Sequence, residues 1–323
     1  MVLLDGAWEP TLARQASKLD QPTSIHHWQL RDLVSCDDAG SIYSVYKNTT
    51  VRCSIATGKS SIVQTLRFNP NCMTVDHGYI AAGGPSSQID IKKVKDEEDV
   101  YSGQVGGIIN NSLRIAEGPI GLLLFVCNND ETIKVFSLPS MDQYATLEFQ
   151  ESMNYSAVSH DCHWLVGVGD SPAVYLYEAT ATGYRRTQEL KEYSDVGMCC
   201  AWDSKGVRFA AASQDGTTCV WDRRTSKPVV RFKCSAPCRS VKFSTAPMDL
   251  MMFAEETNVV HLVDIRKWNQ QQLLRMQGNS EAEISGVCFL PDATKLFVGL
   301  KDAIMVYDVD TVARRRFSEG SLI

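Results

Sequence analysis

Apolar residues in this chain fall in short runs rich in Val, Ile, Phe and Tyr. Clusters of Gly, Asp, Asn, Ser and Pro separate them at regular intervals. That pattern predicts short strands joined by tight turns. The clearest unit runs Arg208-Phe209-Ala210-Ala211-Ala212-Ser213, then Gln214-Asp215-Gly216, then Thr217-Thr218-Cys219-Val220-Trp221-Asp222. An apolar strand ends in a small hydroxyl residue, an Asp-Gly turn reverses the chain, and a second strand closes on Trp-Asp. Weaker copies follow the same phase. Asp264 ends Val259-Val260-His261-Leu262-Val263, and Tyr307-Asp308 ends Ile304-Met305-Val306. Upstream copies include Trp164-Leu165-Val166-Gly167-Val168-Gly169, Leu122-Leu123-Leu124-Phe125-Val126-Cys127, Tyr79-Ile80-Ala81-Ala82 and Ser41-Ile42-Tyr43-Ser44-Val45-Tyr46. First strands are expected near residues 29, 72, 108, 154, 196, 238 and 284. The best helical segment, residues 8–16, is short and lies outside the repeat.

The spacing of these units matches the roughly 40–45-residue period of WD40 repeats. One four-stranded blade buries its faces only against neighbouring blades, so one clear blade predicts a ring. The expected fold is all-β, a seven-bladed WD40 β-propeller over residues 26–323. Residues 1–25 are expected to form an N-terminal extension that packs on the ring or adds a strand to the last blade. Joining both chain ends in one blade removes exposed strand edges.

Composition narrows the class. The chain has 323 residues, 44% hydrophobic and 22% charged, which is ordinary for a globular protein. A net charge of −6 argues against a general nucleic-acid binder. No run approaches the roughly 18 apolar residues of a membrane span, and the opening apolar stretch is too short for a signal peptide. Eleven cysteines, odd in number and mostly inside strands, read as reduced, buried side chains of a cytoplasmic or nuclear protein.

Candidate chemistry is sparse. Gly58-Lys59-Ser60 has the ending of a P-loop, but position 53 is Cys where that motif needs Gly, so a hairpin turn is expected. Gly167-Val168-Gly169 lacks the third glycine and the helix of a dinucleotide fingerprint. His160-Asp161-Cys162-His163 is dense in metal-type ligands, yet it falls where a blade turns between its first two strands. Asp215 reads as a turn-supporting carboxylate, although the His that usually partners it is missing from residues 191–196. The run Lys92-Lys93-Val94-Lys95-Asp96-Glu97-Glu98-Asp99 reads as a solvated loop, with a docking loop as the sharper alternative. Arg314-Arg315-Arg316 is expected in the final strand. No catalytic residue, cofactor or metal is expected.

A partner would bind at the mouth rimmed by the blade-to-blade connectors and the loops between second and third strands. In register, that rim contains Asn110, Asn111, Asn129, Met153, Tyr155, Gln214, Arg239, Glu255, Ser285 and Lys301. Tyr155 and Arg239 are of the types enriched at interface hot spots.

Three segments carry a resemblance. Trp28-Gln29-Leu30-Arg31-Asp32-Leu33 is the first. Asn71-Cys72-Met73 leading to Ala81-Ala82-Gly83-Gly84 is the second. The third runs from Phe253-Ala254-Glu255-Glu256 through Val263-Asp264-Ile265-Arg266 to Gln272-Leu273-Leu274-Arg275. Together they resemble a fungal family of WD40-repeat proteins with a short uncharacterised domain near residues 250–276. That family includes a substrate receptor of the GID/CTLH ubiquitin ligase that recognises protein N-termini. The resemblance implies a non-catalytic scaffold in a hetero-complex, binding proteins or peptide N-termini and neither nucleic acid nor membrane. An acidic rim pocket using Glu255 or Asp32 would suit a free amine. The alternative is a structural propeller subunit of a large constitutive assembly, which predicts a large apolar interface.

Overall fold

The computed structural model describes residues 11–276 and 281–316. The described residues form seven four-stranded antiparallel sheets, the blades of a β-propeller. Six blades are continuous in sequence, at 34–65, 72–104, 110–148, 153–191, 197–233 and 238–275. The seventh takes three strands from 284–309 and its outermost strand, Ala13–Leu19, from the other end of the chain. In each blade the first strand is innermost, and the innermost strands of successive blades pack side by side around a central channel.

Blade five shows how sequence becomes blade. Phe209 and Trp221 stack with ring centroids 5.4 Å apart, and both are fully buried. Trp202 Nε1–H donates to the Ala157 carbonyl at 3.0 Å, fastening blade five to blade four. In the Asp-Gly turn, Asp215 accepts from the Ser194 amide and hydroxyl at 2.8 and 2.9 Å and from the Thr217 amide at 2.8 Å. Ser194 therefore fills the place of the missing His. Burial would raise the Asp215 pKa, but these donors outweigh it and hold the carboxyl well below its ordinary value. Gly216 is obligatory: φ is +79°, and a Cβ there would lie 2.8 Å from the Cys234 and Ala236 carbonyl oxygens.

Three sequence expectations are corrected. Residues 13–16 of the helical candidate are strand, and its residues 8–10 lie outside the described residues. A helix that short is marginal alone, whereas the open edge of the last blade offers a full ladder of partners. Ala13 pairs with Val309 and Leu19 with Ile304, and Gln272 of blade six clamps the junction. Its Oε1 accepts from the Leu12 and Ala13 amides at 2.7 and 2.8 Å, and its Nε2 donates to the Ala13 carbonyl at 2.8 Å. The first strand of blade one is Val34–Cys36, not a strand near residue 29. Arg314 is not in the last strand, Ile304–Val309, but in the helix Thr311–Arg316 that follows it. The Gly58 turn is the expected hairpin, and the Lys92–Asp99 run closes on exposed ion pairs, Lys93–Glu98 at 2.6 Å and Lys92–Asp99 at 3.0 Å.

Arg314 is buried. It meets Asp264 at 2.5 Å and donates to the Met248 and Asp249 carbonyls. Asp264 also bonds Arg266 at 3.0 Å. Burial would raise the Asp264 pKa, but the hydrogen bonds from Arg266 and Arg314 lower it to about 2. Where blades one and seven meet, the free thiols of Cys36 and Cys288 lie 3.0 Å apart. In the channel, Asp32 accepts from the Tyr155 hydroxyl at 2.8 Å and from Lys242 Nζ at 3.1 Å, while Lys242 also reaches Tyr155 at 2.6 Å. Burial would lower the Lys242 pKa, and Asp32 and Tyr155 reverse this to keep it raised. Below this triad a cavity of about 180 Å³ opens on the face opposite the rim, with Asp76 and Arg114 in its wall.

Two predictions follow from these buried pairs. Lys242→Met leaves Asp32 without its cation and is expected to cost about 3–5 kcal/mol in urea unfolding. Adding Asp32→Asn should recover part of that loss in a double-mutant cycle, and strictly additive effects would contradict the coupling. Asp264 has a folded pKa of about 2, below its ordinary 3.8. Its contribution, roughly 2 kcal/mol, is therefore present above about pH 4 and lost as pH falls toward 2. In a pH series, the stability difference between the native chain and Arg314→Met should shrink across that window.

Candidate interaction face at the propeller mouth

Most of the rim positions expected from register are not surface. Asn110, Asn111, Met153, Tyr155, Arg239, Glu255 and Ser285 are all buried. Asn129 and Gln214 are half-buried, and only Lys301 is exposed. The reason is geometric: residues opening an innermost strand face the adjoining blades and serve as ties between them. Asn111 Nδ2 donates to the Met153 carbonyl at 2.9 Å and to Asn129. Asn110 Oδ1 accepts from Asn128 at 2.8 Å. Ser285 Oγ accepts from the Thr23 hydroxyl at 2.7 Å. Tyr155 points into the channel, onto Asp32.

The accessible mouth is built instead by the connector 20–33, which leads from the outermost strand of blade seven to the innermost strand of blade one. It runs over the ring. Asp32 bridges to Cys72 of blade two, and the Leu33 amide donates to the Ser285 carbonyl of blade seven at 3.2 Å. Arg31 NH1 donates to the His27 carbonyl at 2.8 Å, which folds the connector back on itself. The His27 ring accepts the Gln29 amide at Nδ1, 3.2 Å away. Burial, then the Arg31 and Arg239 charges, lower the His27 pKa against the opposing effect of Asp170, so His27 is neutral near pH 7. At the turn, Trp28 is left 68% exposed, beside His27.

Three residues on, Arg31 enters a charged knot. Arg31 NH2 stands 3.6 Å from both Glu256 and Glu283, and Arg239 NH2 stands 3.3 Å from Glu256. Arg239 also donates to Gln214. Both guanidinium groups are buried, and the Nε–H of each has no partner. Burial and mutual repulsion lower the Arg31 pKa, while Glu256 and Glu283 oppose the shift. Register reasoning missed Trp28, Arg31, Glu256 and Glu283. The one available signal was a lone large aromatic in a polar connector.

Asp32 and Glu255 are not a free acidic pocket. Lys242 and Tyr155 neutralise Asp32, and His261 Nε2 lies 2.8 Å from Glu255 Oε1. The His160–His163 segment is a turn in which the Ser159 hydroxyl bonds Asp161 and the Asp161 carbonyl meets His163, so its ligands do not converge. Cys234, Glu255 and His261 do converge, with ligand atoms within 4.8 Å of one another. A cleft of about 720 Å³ lies on the outside of blades one and two, lined by Arg67, Asp90, Lys92 and Tyr101. It brings together no nucleophile and base pair. Among the described residues no helix is long and apolar enough to cross a membrane.

Comparison with known proteins agrees with this architecture. The family described as WD domain, G-beta repeat matches residues 185–222, and an uncharacterised protein domain, DUF2415, matches residues 237–275. An uncharacterized protein of Schizosaccharomyces pombe is 28% identical over 327 residues, covering 92% of each chain. An uncharacterized protein of Saccharomyces cerevisiae is 23% identical over 53% of this chain, and the match spans 29% of that protein. The serine-threonine kinase receptor-associated protein of Gallus gallus is 22% identical over 71% of this chain and 70% of its own. The fold is that of a seven-bladed WD40 β-propeller, with a fungal relative of matching length and no enzymatic family among these matches.

Proposed function

We propose that this chain is a non-catalytic protein-binding propeller that receives substrates for a GID/CTLH-type ubiquitin ligase, as a subunit of a hetero-complex in the cytoplasm or nucleus. The observation that carries the binding role is Trp28, an exposed aromatic in the connector that Arg31 folds back through its bond to the His27 carbonyl. Trp and Arg are the residues most enriched in interface hot spots. The ligase assignment rests on the resemblance of residues 28–33, 71–84 and 253–275 to the fungal family. A substrate N-terminus would set its ammonium against the Trp28 ring and beside Glu283, the more exposed of the two carboxylates. The net charge of −6 favours protein partners over nucleic acid.

The structural-subunit reading has less support. Large exposed apolar side chains among the described residues are Trp28, Ile62, Ile108, Ile120, Val229 and Val312. They sit on separate blades and connectors, whereas a constitutive interface needs a broad contiguous patch.

Affinity purification of the tagged protein with mass spectrometry should recover ligase subunits in substoichiometric amounts. Trp28→Ala, at an exposed position, should leave folding intact and weaken capture of N-terminal peptides by roughly 30-fold, the equivalent of about 2 kcal/mol. A stoichiometric assembly without ubiquitin machinery, unaffected by Trp28→Ala, would replace this reading with the structural one.

A further inference from the structure

We propose that Cys234, Glu255 and His261 form a zinc site at the rim of blade six. The site stands apart from the ligase reading and holds or fails on its own evidence.

The donors converge from three places. Cys234 follows the outermost strand of blade five, Pro228–Lys233; Glu255 ends the second strand of blade six, Leu250–Glu255; and His261 lies in the third, Val259–Asp264. Cys234 Sγ is 3.4 Å from His261 Nε2. With zinc bonds of about 2.3 Å to sulfur and about 2.0–2.1 Å to nitrogen, tetrahedral donors stand roughly 3.5 Å apart. Glu255 Oε1 completes the trio 2.8 Å from the same nitrogen. Three protein donors leave the fourth tetrahedral position open to water.

The surroundings are those of a held ligand set. Phe253 stacks on the His261 ring, with centroids 4.5 Å apart and planes 6° from parallel, which fixes the direction of Nε2. The Gln271 side-chain amide meets Nδ1. With that amide turned, its carbonyl accepts Nδ1–H and leaves Nε2 free for metal, as outer partners of ligating histidines commonly do. Glu255 and His261 are buried, while Cys234 is partly exposed and gives the ion a way in. Thiolates with imidazole select zinc over magnesium or calcium. Binding one Zn²⁺ forms one Zn–S, one Zn–N and one Zn–O bond to the protein, keeps a water in the fourth position and releases the Cys234 thiol proton to solvent.

The test uses the full-length chain. Elemental analysis after dialysis with zinc should give one equivalent per chain. Cobalt(II) in its place should give the intense visible absorption of tetrahedral thiolate ligation. Cys234→Ser and His261→Gln should each abolish that absorption. Gln271→Leu, which removes only a positioning contact, should weaken cobalt binding about 10–100-fold with circular dichroism unchanged. Cys162→Ser, in a turn on the opposite face, should change nothing. Absorption that survives in Cys234→Ser or His261→Gln overturns the proposal. Should those variants fail to fold, the native chain decides alone: an octahedral cobalt spectrum, or no binding, overturns it.

Discussion

Everything at the mouth of this propeller depends on one antiparallel pairing, Ala13–Leu19 against Ile304–Val309. Without this strand blade seven would end on the open edge of its third strand, and open edges recruit other chains. Here the closing strand comes from the N-terminal side and lies outermost in blade seven. The chain must next become the innermost strand of blade one, so it has to climb from the outside of the ring to its centre. The connector 20–33 is that climb. Its course over the rim sets Trp28 in solvent, Arg31 between Glu256 and Glu283, and Asp32 in the channel on Lys242 and Tyr155. Ring closure and the candidate interaction face are consequences of one topological choice.

The channel triad shows the same economy. Tyr155 and Lys242 belong to blades four and six, and Asp32 arrives from the connector. Three blades' worth of chain are thus fastened by one buried charge pair and one hydroxyl. Such a pair adds little net stability over apolar packing, yet it is costly to break. It therefore penalises a displaced connector more than it rewards a seated one. A connector held that way presents Trp28 in a fixed position, which lowers the ordering cost of binding.

The fold was legible because its signal is local and repeated. The Val/Ile/Phe runs, the Asp215-Gly216 turn and the Trp221-Asp222 ending recur at blade spacing, and the observed first strands of blades two to seven begin within two residues of the expected positions. The binding face was not legible in the same way. Loop register placed Asn110, Met153 and Ser285 on the rim, but whether a rim residue faces solvent or the next blade depends on a neighbour some forty residues away. Blade one was misjudged for a related reason. The polar segment around Trp28 has no ladder partner in its own repeat, and only the closed ring shows it to be a connector. Likewise, the ligands Cys234, Glu255 and His261 have no short motif, because blade six sets Glu255 beside His261 while Cys234 comes from the end of blade five, 27 residues before His261.

Glu255 and Glu256 show how such neighbours are put to different uses. The backbone of Glu255 still pairs with Cys238, and its side chain turns inward to His261. Glu256, at the start of the following loop, turns toward the channel mouth and takes Arg31 and Arg239. Adjacent residues in extended chain point to opposite sides, so one dipeptide reaches both the ligand cluster and the charged knot around Arg31. Any constraint that fixes Glu255 also fixes the backbone from which Glu256 holds the two arginines. The ligand cluster and the charged knot are thus joined through a single peptide unit, the one between Glu255 and Glu256.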